Sequence, residues 1–333
     1  MQAKRRIPGI YFGSYMEENN LFENLKLAEI CKNISLPLPL QNQIEEFFKN
    51  PHFSNFFIQN QNEIWLLADA SSAAKSFAKL DLLLEDFARQ NSRNLPSLSA
   101  FSANNIAAQQ KGICWLCIYL AAAQNKTLPQ YQQRGIDKNI FYQTAGAFTR
   151  FCREHLETFG FLGFDRAFWT FRQTSMQLFR LGTLEFELCT NGGDIMTAQN
   201  GEKIERGEKY LYVHIPSDAA LTQAELEKSY QTAKTFCAKH FEQWKNAAFF
   251  TCTWLLSPAL KTLLPPDSKI LRFAGAFSLC AENPDETEYI EWLFKTQNKN
   301  PAFWCENTSL QRAVKQFVTD GGKIGDAAGF FRL

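Results

Sequence analysis

The sequence predicts two domains in series, a helical domain followed by an α/β domain, and three observations support this. A chain of 333 residues is long enough to bury two separate cores of ordinary size. Apolar residues recur with a helical period up to about residue 135, whereas from Phe168 onward several segments alternate apolar and polar side chains. Between these regions, residues 127–137 are polar and contain Pro129 and Gly135, a composition typical of a boundary.

The N-terminal region is predicted to be a helical bundle. Apolar side chains at spacings of three and four form one stripe over residues 20–34 and another over residues 71–87. Residues 105–123 are apolar nearly all round, so we expect them to form the central buried helix. A further amphipathic helix is predicted over residues 139–158. The predicted division is therefore a helical domain at 1–135, a connector at 136–165 and a second domain at 166–333.

The second domain is predicted to alternate strands with helices. The first strand covers residues 182–188, where apolar and polar side chains alternate, and the second covers residues 210–215. A helix begins at Thr222, which together with Glu225 fits the capping-box pattern. The remaining predicted elements are strands at 249–255, 270–280 and 327–333, and helices after Ser257, near 286–294 and at 309–319. This order predicts an α/β sheet with crossover helices.

Charge and composition exclude several functional classes. The net charge is +1, from 35 basic and 34 acidic residues, so no overall field draws the protein to nucleic acid or to an acidic membrane. The basic residues 4–6 are not followed by an apolar segment, so we expect no secretory signal. The longest apolar run, residues 113–123, is shorter than the roughly 20 residues of a membrane span. We therefore expect a cytoplasmic protein.

Cysteine and histidine usage gives no metal site. Nine cysteines, an odd number in a long chain, indicate reduced thiols. Cys114 and Cys117 form a CxxC pair inside an apolar helical stretch, which favours core packing over a zinc or redox site. The four histidines lack metal-ligand spacing, so we expect no metal.

Six short segments, in one order along the chain, resemble a single family. They are RQ at 172–173, RLG at 180–182 with LEFE at 184–187, HIPS at 214–217, WLLSP at 254–258, LLPPDS at 263–268 and SLQR at 309–312. The family is the two-domain bacterial acyltransferase-like proteins, with a helical N-terminal domain and a GNAT-like C-terminal domain. The resemblance covers nearly the whole chain and is clearest from Phe161 onward.

This resemblance implies an α+β architecture, in which an N-terminal helical bundle is followed by a GNAT-like mixed β-sheet flanked by helices. It also implies acyl transfer from acyl-coenzyme A (acyl-CoA), for example acetyl-CoA, to an amine of a small molecule or peptide. In that fold two neighbouring parallel strands part to admit the pantetheine arm, and the pyrophosphate rests on backbone N–H groups where the next helix begins. The strands would be residues 210–215 and 249–255. The donor-binding residues implied are Ile215, Ser217, Ala219, Ala220, Leu221, Thr222 and Trp254.

The turn at residues 217–222 departs from the superfamily pattern Q/R-x-x-G-x-G/A. It contains no glycine, and Asp218 would repel a pyrophosphate. A second function therefore stays open, namely a non-catalytic small-molecule-binding or regulatory protein that has kept the fold. A third is a peptide-processing transferase that uses a larger acyl donor.

Three side chains are candidates for direct roles in acyl transfer. Attack of an amine on a thioester needs a base, oxyanion donors and a proton for the departing thiolate. His214 ends a predicted strand, and an unperturbed imidazole is suited to act as a base near neutral pH, so His214 is the candidate base; its alternative role is to fix the end of the strand. Ser257 is a candidate proton donor or a helix cap. Cys252 would be a nucleophile only if exposed with a lowered pKa, and we expect it to be buried.

Charged and aromatic residues supply the candidate acceptor site. Glu185 and Glu187 share one strand face, where they would bind or deprotonate an amine, or instead form salt bridges with Arg172 or Arg180. The candidate substrate-binding residues are Arg172, Arg180, Arg272 and Trp169. Trp169 and Trp254 are predicted either to line the cleft or to pack in the core.

Overall fold

The structure is a computed structural model that describes residues 21–97 and 105–333. The basic segment at residues 4–6 lies outside the described residues.

The N-terminal region is helical, as predicted. Its helices are α1 Leu21–Asn24, α2 Leu27–Asn33, α3 Leu38–Lys49, α4 Pro51–Gln59, α5 Gln61–Trp65, α6 Ala73–Asn91, α7 Ile106–Ala122, α8 Leu128–Gln133, α9 Lys138–Phe159 and α10 Ala167–Thr174. Asn50 caps α4 by accepting hydrogen bonds from the backbone of His52 and Phe53. The predicted helix at 139–158 is confirmed as α9, which Asp137 caps and Gly160 ends in a left-handed conformation.

Helix α7 is the central buried helix of this region, as its apolar sequence predicts. A π-helical turn, Ala123–Thr127, joins it to α8. Of the described residues, Ile106–Gln133 is one helix whose length and composition would allow a membrane span, and 67% of its most apolar window is buried within the protein. Cys114 and Cys117 are fully buried, and burial raises the pKa of both thiols. The CxxC pair is therefore core packing, as expected.

The C-terminal region forms a mixed sheet flanked by helices, as the family resemblance implies. Its strands are β1 Leu178–Leu181, β2 Leu184–Thr190, β3 Met196–Thr197, β4 Lys203–Ile204, β5 Lys209–His214, β6 Ala248–Thr253, β7 Ser278–Asn283 and β8 Asp326–Phe331. The six-stranded sheet has the order β1-β2-β5-β6-β8-β7, while β3 and β4 form a separate hairpin. Adjacent strands are antiparallel except β5 and β6, which helix α11 (Gln223–His240) connects in parallel.

Two predictions of secondary structure are wrong. The strand predicted at 270–280 is instead helix α13, Lys269–Ala274, followed by β7 from Ser278, because Ser268 caps a helix by accepting from the Leu271 backbone. Ser257 does not cap a helix through its side chain, since the short helix α12 begins only at Leu260. The last helices are α14 Tyr289–Phe294 and α15 Ser309–Thr319.

The sheet is covered on both faces. On one face, the Tyr230 ring of α11 meets Phe186 and Phe249, with ring centroids 6.2 and 5.1 Å away. On the other face lies the helical region, from which Arg150 of α9 donates a hydrogen bond to the Glu185 side chain of β2 at 2.8 Å. One buried apolar cluster runs through both regions, so the sheet and the helical bundle share a core.

The turn between β1 and β2 requires a glycine. Gly182 has φ of +73°, and a Cβ there would lie 2.4 Å from the Ser229 hydroxyl oxygen of α11. We expect Gly182→Ala to lower the free energy of unfolding in urea by about 2 kcal/mol. The matched control is Gly146→Ala in α9, where a Cβ would meet no described atom within 4 Å; it should be neutral or stabilising by up to about 1 kcal/mol. Equal effects of the two variants would contradict this account of the turn.

Candidate functional site

The two parallel strands part at the centre of the sheet. Residues 210–212 of β5 pair with residues 248–250 of β6, and no further bridge joins these strands in the described part of the chain. Beyond that point, side chains supply some of the hydrogen bonds that strand pairing would have made. The Thr251 hydroxyl donates to the Val213 carbonyl at 2.8 Å, and the Tyr212 hydroxyl lies 3.4 Å from the Cys252 carbonyl. The gap therefore begins one residue before His214.

Three side chains hold the His214 ring, two of them from the sheet and one from α10. His214 Nε2 lies 2.9 Å from Glu187 Oε2, the Tyr212 ring stacks on the imidazole at 4.4 Å, and the Trp169 ring meets it edge-on at 4.9 Å. Alternation along strands places Glu187, Tyr212 and His214 on the face that points to the helical region. His214 Nδ1 makes no hydrogen bond with the described residues.

Arg172 of α10 holds two of these three partners. Its Nε donates to Glu187 Oε1 at 3.1 Å, and its guanidinium lies over the Trp169 and Phe171 rings at 4.2 and 4.8 Å. Burial raises the pKa of Glu187, but the hydrogen bonds and positive charges of His214 and Arg172 outweigh it, so that the pKa is below its usual value. Glu187 is therefore a carboxylate at neutral pH.

The turn at residues 217–222 is anchored to the helical region and to the β1–β2 turn. Asp218 accepts from Arg180 Nη1 at 2.9 Å, and the Ser217 hydroxyl donates to Glu154 Oε1 of α9 at 2.5 Å. The Thr183 hydroxyl accepts from the Ala220 backbone at 2.6 Å. Asp218 is therefore partly neutralised, and one backbone donor of the turn is already engaged.

Arg150 of α9 lies at the centre of this anchor. It donates to Glu185 at 2.8 Å and lies 3.6 Å from Glu154 and 3.9 Å from Asp218. Arg150 and Glu185 side chains are only 10% and 3% exposed, so this is a buried ion pair between a helix and the sheet. Burial raises the pKa of Glu154, although the Ser217 hydroxyl and Arg150 act in the opposite direction.

The predicted site residues divide into those that meet at His214 and those that do not. Trp169, Arg172 and Glu187 contact one another or His214, as described above. Glu185 pairs with Arg150 rather than with Arg172 or Arg180, and Arg180 pairs with Asp218. Arg150 was not predicted as a site residue, because it lies 35 residues before Glu185 in a helix of another region.

Three further predicted residues lie apart from this cluster. Ser257 is buried, and its hydroxyl donates a hydrogen bond to the Ile324 carbonyl. This contact stabilises the fold and leaves the hydroxyl unsuited to protonate a thiolate. Trp254 is partly buried and packs against the core. Arg272 is exposed on α13 and joins none of the contacts around His214.

Cys252 differs from its prediction, since it is exposed at the open end of β6. Its pKa is nevertheless raised to about 11, by partial burial and by the nearby Asp326 carboxylate, so the thiol is not activated as a nucleophile. Asp326 lies on the same face of the sheet as Cys252, and its Oδ1 is buried without a partner among the described residues. Burial and the charges of Glu288 and Glu286 raise the pKa of Asp326 to about 6. Sequence reasoning missed this acidic group. Of the described residues, none form a cluster of ligands for a metal ion.

Two families of known proteins match successive parts of the chain. The N-acyltransferase N-terminal domain matches residues 26–176, and the GNAT-like C-terminal domain matches residues 178–331. The two matches adjoin at residue 177, whereas the division predicted from sequence, with a connector at 136–165, stays a prediction. No curated protein matches the sequence.

Solved structures of acyltransferases share the fold. One, in complex with decanoyl-CoA and teicoplanin, has a TM-score of 0.65 at 21% identity, over 92% of this chain and 87% of that chain. A mutant acyltransferase in complex with octanoyl-CoA has a TM-score of 0.66 at 19% identity, over 92% and 88%. A third, in complex with decanoyl-CoA, has a TM-score of 0.60 at 17% identity, over 92% and 99%.

Removing Arg150 tests the buried ion pair. We expect Arg150→Met to lower the free energy of unfolding by about 3–5 kcal/mol, because Glu185 and Glu154 stay buried without their cation. The double variant Arg150→Met/Glu185→Gln should recover part of the loss. Arg89, whose ion pair with Asp86 is exposed, is the control, and Arg89→Met should cost less than about 1 kcal/mol. Urea unfolding measures all three; a double variant no more stable than Arg150→Met would contradict the assignment.

Proposed function

Because the chain belongs to the family that joins an N-acyltransferase N-terminal domain to a GNAT-like C-terminal domain, we propose that it transfers an acyl group from acyl-CoA to an amine. The observation that carries the proposal is the Glu187–His214 pair beside the gap between β5 and β6. Direct aminolysis of a thioester requires a base close to the attacking amine, and a base beside this opening would be close to a thioester bound there.

His214 is the base in this proposal. Glu187 is ionised and can only accept, so the proton of the neutral imidazole is on Nε2 and the lone pair is on Nδ1. Nδ1 is the ring nitrogen left without a hydrogen bond among the described residues, and it is therefore available to the substrate amine. The positive charge that forms on the ring is stabilised by the Glu187 carboxylate.

The reaction balances without a covalent enzyme intermediate. The amine nitrogen attacks the thioester carbonyl carbon, the C–N bond forms and the C–S bond breaks. His214 Nδ1 takes the ammonium proton of the tetrahedral intermediate, and the resulting imidazolium gives that proton to the departing thiolate, which returns His214 to its neutral form. The products are an amide and free coenzyme A.

The thioester arm of the donor would enter where β5 and β6 part, beside the Thr251 and Tyr212 side chains, each of which hydrogen-bonds to the backbone of the facing strand. The acceptor is proposed to be a small-molecule or peptide amine. Among the structural neighbours, one acyltransferase binds the glycopeptide teicoplanin, which is consistent with such an acceptor.

The turn at residues 217–222 favours one alternative. Thr183 occupies the Ala220 backbone donor, and Asp218 stands where an incoming diphosphate would meet a negative charge. These contacts suit a protein on the same fold that binds a small molecule without using acyl-CoA. Calorimetric titration with acetyl-CoA and decanoyl-CoA separates the two functions. A transferase should bind acyl-CoA and give a heat signal that saturates with added ligand, whereas a protein that does not use acyl-CoA should give none.

His214→Gln tests the proposed base. We expect kcat for amide formation to fall by about 100-fold or more, while the Kd for acyl-CoA stays unchanged, because the base acts on the amine and not on the donor. Amide and free coenzyme A are measured by mass spectrometry with a panel of primary amines that includes a glycopeptide. The control is His52→Gln in the helical region, which should be as active as the wild type. A His214→Gln variant with wild-type kcat would remove His214 from the mechanism.

A further inference from the structure

Arg172 contacts both Glu187 and Trp169, which are two of the three partners of the His214 ring. It reaches them from α10, which belongs to the helical region, whereas Glu187 and His214 belong to the sheet. Resting on the N-acyltransferase function proposed above, we propose that Arg172 is a positioning residue that orients the Glu187–His214 pair and sets the pH at which it becomes a base.

The orienting role follows from geometry. The Glu187 carboxylate uses one oxygen for Arg172 Nε and the other for His214 Nε2, at 3.1 and 2.9 Å. This fixes the carboxylate plane, and with it the direction of the imidazole. The guanidinium also lies over the Trp169 ring, 4.2 Å from its centroid, and that ring makes a T-shaped contact with the imidazole. A carboxylate with only one partner would be free to rotate about its last bond.

The electrostatic role follows from the charges around the pair. The titratable and charged groups that face Glu187 and His214 are Arg172 from α10, Glu185 of β2 with its partner Arg150 from α9, and Cys189, Tyr210 and Tyr212 from the strands. Burial raises the pKa of the Cys189 thiol to about 12 and raises that of both tyrosines, so these three stay neutral at ordinary pH. Arg150 and Glu185 offset each other within their own ion pair, so Arg172 is the permanent charge that contacts the Glu187 carboxylate directly. It repels a proton from the pair and so keeps the base available at lower pH.

Lysine is a partial substitute only. It would keep the positive charge beside Glu187, but an ammonium lacks the planar group that stacks on Trp169 while an N–H points to the carboxylate. Charge and orientation are therefore separable by two variants, Arg172→Gln and Arg172→Lys.

The experiment measures kcat/KM against pH for both variants. Arg172→Gln removes one of the groups that lower the pKa of Glu187, so the pair keeps its proton to higher pH. We expect the acidic limb of the profile to move up by about one pH unit and kcat to fall by about tenfold, with KM for acyl-CoA unchanged. Arg172→Lys should return the limb to the wild-type pH but recover only part of kcat.

The matched control is Arg134→Gln. Arg134 also lies over an aromatic ring, that of Phe241 at 5.5 Å, but it is exposed and pairs with no carboxylate of the described residues. This variant should leave both kcat and the acidic limb unchanged. A purely structural role for Arg172 would lower kcat at every pH without moving the limb, and that result would overturn the proposal.

A second readout does not depend on activity. The carboxyl ¹³C resonance of Glu187, assigned with Glu187→Gln, is followed by NMR against pH in the wild type and in Arg172→Gln. We expect its titration to move to higher pH in Arg172→Gln, and an unmoved titration would refute the electrostatic role. If the titration moves while His214→Gln retains wild-type turnover, the electrostatic effect of Arg172 on Glu187 stands and the proposed function fails.

Discussion

The parting of β5 from β6 is the constraint on which the rest of the structure depends. Parallel neighbours in a sheet normally continue their hydrogen bonds, and here they stop after three residue pairs. The segment that follows β5 contacts the helical region instead, where Ser217 binds Glu154 and Asp218 lies near Arg150. Asp218 also pairs with Arg180 of β1. Thr251 and Tyr212 supply substitute hydrogen bonds, so the opening leaves few buried polar groups unpaired.

The contacts between the end of β5 and the helical region hold the two regions of the chain together. The candidate site is accordingly assembled from residues of both. The sheet supplies Glu187, Tyr212 and His214, and α10 supplies Trp169 and Arg172. Two ion contacts, Arg150 to Glu185 and Arg172 to Glu187, lie two residues apart along β2. The alternation of the strand places both carboxylates on one face, and each takes its arginine from a different helix. The contacts that join the helical region to the sheet and those that hold the candidate site therefore lie on the same strand, β2.

The sequence predicted more of the fold than of the site, for physical reasons. Periodicity identified α7, α9, β2, β5 and α11, since burial imposes a pattern that is local in sequence. It failed at residues 270–280, where an apolar run fits either a strand or a helix and the Ser268 cap decided. The strand face of Glu185 and Glu187 was predictable, but their partners were not. Arg150 lies 35 residues from Glu185, and nothing local in sequence reports that distance. The absence of glycine from the 217–222 turn was visible in the sequence, whereas the ion pairs of Asp218 with Arg180 and Arg150 are tertiary and leave no local signal.

A crystal structure with a thioether analogue of acetyl-CoA, in which no acyl group can leave, tests the central claim most directly. The account predicts that the analogue lies between residues 213–214 of β5 and 251–253 of β6, with its carbonyl carbon on the His214 side of the sheet. A complex in which these strands close along their length, with the analogue bound elsewhere or not at all, would contradict it.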